Sequence, residues 1–338
     1  MSQEIIVSTP MEVLGQVANQ SARYALIERY QQKRSSETLR RQVTDVALFE
    51  KYLSVAGHIT RGMKDDLSLW VGVSYGIVAG FQQWQLQQGY SIGSVNVRLA
   101  TIKTYCKLAN QAECLSQEEM SKIRGIENIS HKDGRNVDEK RAVSRVGKKK
   151  AYTVLLSEVY VDLLKKKLQE ASRTDHDAAR DYLLFCLLAD HGLRCGEIAE
   201  LETKNLDILT GTLIFYRRKV HKIQTHKLTA CTLEAAKQYL KVAAPGVKLF
   251  GGYAYAKSGK VATDGLTTRS INNLVARLGE QVDVKGLSPH DLRHYWATTA
   301  INKGTDVKSL QQAGGWNSPY MPLRYAEESE IANEGVKL

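Results

Sequence analysis

The sequence predicts a mostly α chain with one small antiparallel sheet, an α+β architecture in two domains. Three observations predict it. No proline occurs between Pro10 and Pro245, so the front half is free to build long helices. Apolar residues recur there at three- and four-residue spacing. One stretch of the back half, GTLIFYRRKV at 211–220, instead alternates with β-branched and aromatic residues. It reads as a strand, and QTHKLTA at 224–230 can return beside it as a hairpin. At 338 residues the chain can bury two separate cores.

Residues 1–20 are expected to form a tail, and 21–130 a helical domain. SARYALIERYQQKR and SSETLRRQVTDVALFEKYLSVAG are its first helices, the second capped by Ser36 and stopped at Gly57. A third helix covers about 69–88 and ends near Gly89. The fourth, SIGSVNVRLATIKTYCKLANQ, turns Ala100, Ile102, Tyr105 and Leu108 toward a core. Arg98, Lys103 and Lys107 fall largely off that stripe and could face phosphates. HKDGRNVDEKRAVSRVGKKKA, 131–151, has no apolar period and clusters positive charge. It reads as an exposed basic linker whose Arg141, Arg145 and Lys148 could follow a duplex backbone. The back domain, 152–338, has helical patterns before and after the hairpin. Among them are DHDAARDYLLFCLLADHG, ending in a turn at Gly192, then TTRSINNLVARLGEQV and TDVKSLQQAG.

Charge points to a partner. With 47 Lys+Arg against 36 Asp+Glu the chain carries +11, which favours a polyanion such as nucleic acid. No apolar run is long enough for a membrane helix, and MSQEIIVSTPMEV lacks the basic start and apolar core of a signal peptide. The five cysteines are scattered without C-x-x-C or zinc spacing, as in a cytoplasmic protein with reduced thiols. Neither an internal repeat nor a glycine-rich phosphate loop is present.

The chemistry gathers in four short motifs. In LSPHDLRHYWATTA, Ser288 suits a helix N-cap, Pro289 the first helical position and Asp291 the first turn. His290 and Arg293 then share one face near the positive helix end, a natural anion site. HGLRCGEIAEL starts a helix with Arg194 and sets Glu197 one turn on, able to pair with it. FYRRKV brings Lys219 to the hairpin tip, with Lys222 and Arg218 as alternatives. AGGWNSPYMPLRYAEE offers Trp316 and Tyr325. Cutting a phosphodiester with such groups asks for guanidinium groups on the non-bridging oxygens, a nucleophilic hydroxyl and a proton donor for the departing sugar oxygen. Tyr320 competes with Tyr325 for the nucleophile but follows NSP in a turn. His294 and Tyr295 are assigned to packing. No carboxylate cluster has metal-ligand spacing, so neither metal nor cofactor is expected.

In this order and spacing the motifs resemble the catalytic domain of the tyrosine recombinases, the phage-integrase family, over residues 152–330. The family hallmark is an arginine in LRxxE, a hairpin lysine, an HxLRH block and a late tyrosine. Arg194, Lys219, His290 with Arg293, and Tyr325 stand at those positions. Trp316 departs from the histidine most members carry; Cre recombinase has tryptophan in a similar AGGW setting. The resemblance implies a helical core-binding domain and a catalytic domain closing as a C-shaped clamp on duplex DNA. It further implies two protomers on an inverted-repeat site, pairing of two sites in a homotetramer, a 3′-phosphotyrosine ester and a Holliday junction, without ATP or metal. Such a protein would work in the cytoplasm, on the nucleoid. Rival readings are a type IB topoisomerase and an integrase-fold DNA-binding protein that has lost catalysis. The absence of an arm-binding domain before residue 20 is taken to hint at a short, simple site.

Overall fold

The computed structural model describes residues 9–142, 153–243, 245–251 and 265–329. Two compact units divide at Lys149/Lys150, inside the expected linker. Arg145 and Lys148 lie outside the described residues.

The first unit is helical: α1 (Pro10–Tyr24), α2 (Leu26–Gln32), α3 (Ser36–Val55), α4 (Tyr75–Gln87), α5 (Ile92–Gln111), α6 (Gln117–Arg124) and α7 (His131–Lys140). Aromatic rings fill its centre. Phe49 stacks on Trp70 at 5.6 Å between centroids, Trp70 on Tyr105 at 5.7 Å, and Phe81 meets Phe49 edge-on at 5.1 Å. Several expectations are corrected here. The tail is helical from Pro10, and Ser35, not Ser36, caps α3 by accepting from the Thr38 amide. On α5, Ala100 is exposed and Leu99 takes the inward place. The first ten residues of the supposed linker form α7, because Ser130 caps it through the Asp133 amide at 3.1 Å. A side chain at Gly134 would press on Ile92, so α7 lies close against the start of α5.

The second unit builds α8 (Glu158–Ala171), α9 (His176–His191), α10 (Cys195–Glu200), β1 (Leu206–Asp207), β2 (Thr212–Arg217), β3 (Lys222–Lys227), α11 (Ala230–Ala243), α12 (Thr268–Glu280), α13 (Pro289–Asn302), α14 (Val307–Gly314) and α15 (Tyr320–Ser329). YLLFCLLA is apolar all round, so α9 is the buried central helix, packed by α8, α11 and α13. The sheet is antiparallel in the order β1-β2-β3, with Arg217 opposite Lys222. The hairpin stands as expected; β1 adds a third strand too short to carry a periodic signal. Leu213, Phe215 and Arg217 form the inward face of β2. Among the described residues no helix is long and apolar enough to cross a membrane.

Candidate active site

Helix α9 stops at Gly192, whose φ of +59° is the left-handed conformation glycine tolerates best. The indole of Trp296 lies where a Cβ would project, so space also demands glycine there. The turn delivers Arg194 to the start of α10. The Glu197 carboxylate accepts from the Arg194 backbone N–H and from its Nη1, both at 2.8 Å.

Helix α13 begins as its sequence dictates. Pro289 stands in the first turn, and Asp291 accepts from the Ser288 amide at 2.8 Å and hydroxyl at 2.6 Å. One turn in, Arg293 is buried, 4% exposed, and donates to the Gly192 carbonyl and, at 2.6 Å, to the Gly314 carbonyl. Burial, then the nearby Arg194 and Arg217 charges, push its pKa down to about 9, so it stays charged at neutral pH. His290 is exposed on the first turn of the same helix.

Gly314 and Gly315 close α14, and both are sterically required. A Cβ at Gly314 would sit 2.0 Å from the Trp316 ring, and one at Gly315 would sit 2.4 Å from Arg217 Cδ. Trp316 lies under the Arg293 guanidinium, 4.6 Å from Cζ to ring centroid; its backbone N–H and carbonyl bond to Gln311, each at 3.1 Å, while its indole N–H makes no hydrogen bond among the described residues. Tyr325, 4% exposed, packs on Trp316 at 5.8 Å and edge-on against His294 at 5.0 Å. Tyr320 is 70% exposed at the start of α15. The packing role expected of His294 is therefore directed at the tyrosine ring itself.

Sequence reasoning missed Arg217. It is wholly buried at the end of β2, and its Nη1 donates to both Glu197 oxygens at 3.0 and 3.1 Å. The available signal was an arginine at an inward-facing strand position. Arg194 and Arg217 thus pair with one carboxylate and Arg293 stands near enough to feel all three charges, leaving two positive charges in excess at a partly buried site. Such a surplus favours a bound anion with several oxygens.

The hairpin lysines are not part of this buried cluster. Lys219 is exposed in the turn at 218–221 and makes no ion pair among the described residues. Lys222 is exposed too and lines a cleft with Gly315 and Trp316. Arg218 is committed to Glu200 at 2.8 Å.

In the first unit, most of the candidate phosphate contacts are half-buried and have partners within the protein. Arg98 lies 4.2 Å over the Tyr90 ring and faces Asp45. Lys103 donates to the Arg124 and Ile126 carbonyls, and burial lowers its pKa. Arg141 donates to the Tyr90 carbonyl at 2.7 Å and pairs with Asp138. In each case the cation serves a helix end or a buried acid. Lys107 is exposed and unpaired among the described residues.

The family model described as the phage integrase family matches residues 132–330, more than half of the chain. The chain belongs to the phage integrase family. This integrase-family chain is 30% identical over 187 residues to tyrosine recombinase XerC of Treponema denticola, covering 51% of this chain and 61% of that protein. To tyrosine recombinase XerA of Pyrococcus horikoshii it is 25% identical over 232 residues, 68% of this chain and 67% of the relative. It therefore spans only part of the length of the curated relatives it matches, 46% in the case of XerA of Thermococcus onnurineus. The fold is similar to that of the Tn1549 transposon integrase in complex with transposon right end DNA. There the TM-score is 0.60 at 16% identity, over 90% of this chain and 93% of that one. A lambda integrase dimer bound to a core site gives 0.58 at 12% identity, over 93% and 98%.

A second cluster lies apart from these residues. Cys186 on α9 and Cys231 on α11 bring their sulfurs to 3.7 Å, with the Tyr182 hydroxyl 3.3 Å from Cys231 and Asp190 close by. These residues have metal-ligand character, but Asp190 is already bound to Lys165 at 2.5 Å and accepts from Thr229 and Thr232. The scattered spacing hid the pair, since 45 residues separate its members.

Proposed function

We propose that the protein is a site-specific DNA recombinase that cuts and rejoins duplex DNA through a covalent tyrosine ester. The observation that carries this reading is the trio of half-buried Arg194 and buried Arg217 and Arg293 gathered near Glu197, with Tyr325 packed beside Trp316 at its edge. A trio with surplus positive charge fits a phosphodiester, whose transition state spreads extra negative charge over its non-bridging oxygens.

In this reading Arg194 and Arg293 clamp the scissile phosphate, and the free indole N–H of Trp316 donates to one of its oxygens. Tyr325 Oη attacks phosphorus, passing its proton to His290. The bond to the 5′ oxygen breaks, and Lys219 protonates that oxygen as it leaves. A 3′-phosphotyrosine and a 5′-hydroxyl result. The 5′-hydroxyl of a partner duplex then attacks the ester and releases the tyrosine. Because the ester keeps the bond energy, no nucleotide cofactor is consumed. Two rounds of exchange pass through a Holliday junction. Two units closing on DNA as a clamp, with four protomers on two inverted-repeat sites, complete the proposal; the match to integrase structures bound to DNA supports it.

The test is incubation with a nicked duplex whose short 5′ fragment diffuses away after cleavage. The expected result is a trapped covalent adduct, and junctions when two intact sites are supplied. Relaxation of supercoils without junctions would favour a topoisomerase, and DNA binding without adduct a catalytically inactive relative.

A further inference from the structure

Arg217 takes no direct part in the chemistry just described, because it has no exposed surface with which to meet DNA. Its partners are nevertheless specific. Beside the two bonds to Glu197, Nη1 donates to the Gly314 carbonyl at 3.2 Å and Nη2 to the Ala313 carbonyl at 2.6 Å. Nε donates to Gln224 Oε1 on β3, and Gln224 Nε2 passes the chain of bonds on to the Gln312 carbonyl. Residues 312–314 are the last of α14, where carbonyls lack the usual donor four residues on; the Gln312 carbonyl accepts from the Gly315 amide at 3.0 Å and the Gly314 carbonyl from Arg293 as well. The base of the hairpin supplies a donor to the Ala313 carbonyl and a further one to each of its neighbours. Gly315 has no side chain where the Arg217 methylenes pass, so the fit depends on both residues.

One guanidinium therefore ties together the two hairpin strands, the carboxylate that holds Arg194, and the helix end that precedes Trp316. Burying such a group is costly and is tolerated only with a near-complete set of partners. Immediately after Arg217 the chain enters the turn at 218–221, which carries Lys219 as its second residue. Among the described residues, Arg218 forms an exposed ion pair with Glu200 and Lys219 forms none.

We propose that Arg217 is a positioning residue: by fastening the base of the hairpin to residues 312–314 and Glu197, it sets Lys219 over the leaving oxygen. The inference rests on the reading of Lys219 as the proton donor. Its chemical signature is selective. Loss of Arg217 should slow only the step that needs a proton, whereas general damage to the site would slow cleavage whatever the leaving group.

The experiment compares single-turnover cleavage of an ordinary duplex and one with a 5′-bridging phosphorothiolate, whose sulfur leaves without protonation. The variants are Arg217→Lys, Gln224→Ala, Lys219→Ala and the double Arg217→Lys/Lys219→Ala. Arg217→Lys keeps a charge against Glu197 but cannot reach Gln224 and both carbonyls together. The ratio of the two rates is internal to each preparation, so partial unfolding does not alter it. Arg217→Lys should cut the ordinary substrate roughly 10- to 100-fold more slowly and the phosphorothiolate within about threefold of wild type. Gln224→Ala should shift the ratio the same way by less, and the double variant should be no slower than Lys219→Ala on the ordinary substrate. Equal loss on both substrates, or multiplied losses in the double variant, would overturn the positioning role alone. No adduct from wild type on either substrate would overturn the recombinase reading and this inference with it.

Discussion

Replacing Trp316 separates its two contributions to the site. The indole offers a free N–H and presents its ring 4.6 Å below the Arg293 guanidinium, with Tyr325 packed at 5.8 Å. Trp316→Phe removes the donor and keeps a ring. Losing a neutral hydrogen bond costs about 0.5–1.5 kcal/mol, and weakening the cation–π contact about 0.5–1 kcal/mol more. Together these are about 1–2.5 kcal/mol, or a slowing of roughly 5- to 70-fold if both are felt fully in the transition state. Trp316→His restores a donor and should recover most of the rate. Arg293→Ala removes a charge on which two backbone carbonyls also depend, and should cost about 10²-fold or more. Single-turnover cleavage of the nicked duplex, with melting temperatures in parallel, ranks the three. A Trp316→Phe protein as slow as Arg293→Ala would refute the donor reading. A protein as fast as wild type would leave the indole with packing alone.

Three further predictions test other parts of the molecule. Burial holds His191 down at about 4 and His226 down at about 3, against 6.5 for a free histidine. Both are favoured neutral in the folded state, so their stability is fully present above pH 6.5 and lost as pH falls toward those lower values. The melting temperature should decline between pH 6.5 and 5, before carboxylates titrate, and less so in His226→Gln; a flat profile contradicts this. The hydrogen bond that Cys231 shares with the Cys186 sulfur, together with the Tyr182 hydroxyl and the Lys165 charge, holds the Cys231 thiol below the usual thiol range despite burial. Iodoacetamide at pH 7 should label Cys231 first, at a rate that levels off above its lowered pKa; preferential labelling of Cys114 would contradict it. Lys107→Ala should weaken DNA binding and reduce its salt slope by about one, whereas Arg98→Ala should chiefly lower the melting temperature. The opposite pattern in titrations and melts would make Arg98 a DNA contact and Lys107 a bystander.

What was legible in the sequence was local. Ser288, Pro289 and Asp291 announce the start of α13, so His290 and Arg293 follow as neighbours on one turn. Gly192, and the Gly314–Gly315 pair before Trp316, mark turns where side chains press on bare backbone. What depended on tertiary partners was hidden. The Arg217 bonds run to residues 20 and 97 positions away, and a cation in a strand ordinarily reads as solvated. Arg98, Lys103 and Arg141 resembled a basic face because charge patterning cannot tell a cation aimed at phosphate from one aimed at Asp45 or a helix end. Helix α7 holds a single apolar residue beside its caps, too little for periodicity to register.

The central claim is that Tyr325, set against Trp316 and the arginine cluster, forms the bond to DNA. The most direct measurement is to trap the covalent adduct on the nicked duplex, digest it with protease and nuclease, and sequence the nucleotide-bearing peptide by mass spectrometry. The account predicts the nucleotide on Tyr325, and no adduct from Tyr325→Phe although that variant still binds the site. An adduct that persists in Tyr325→Phe and disappears in Tyr320→Phe would contradict it.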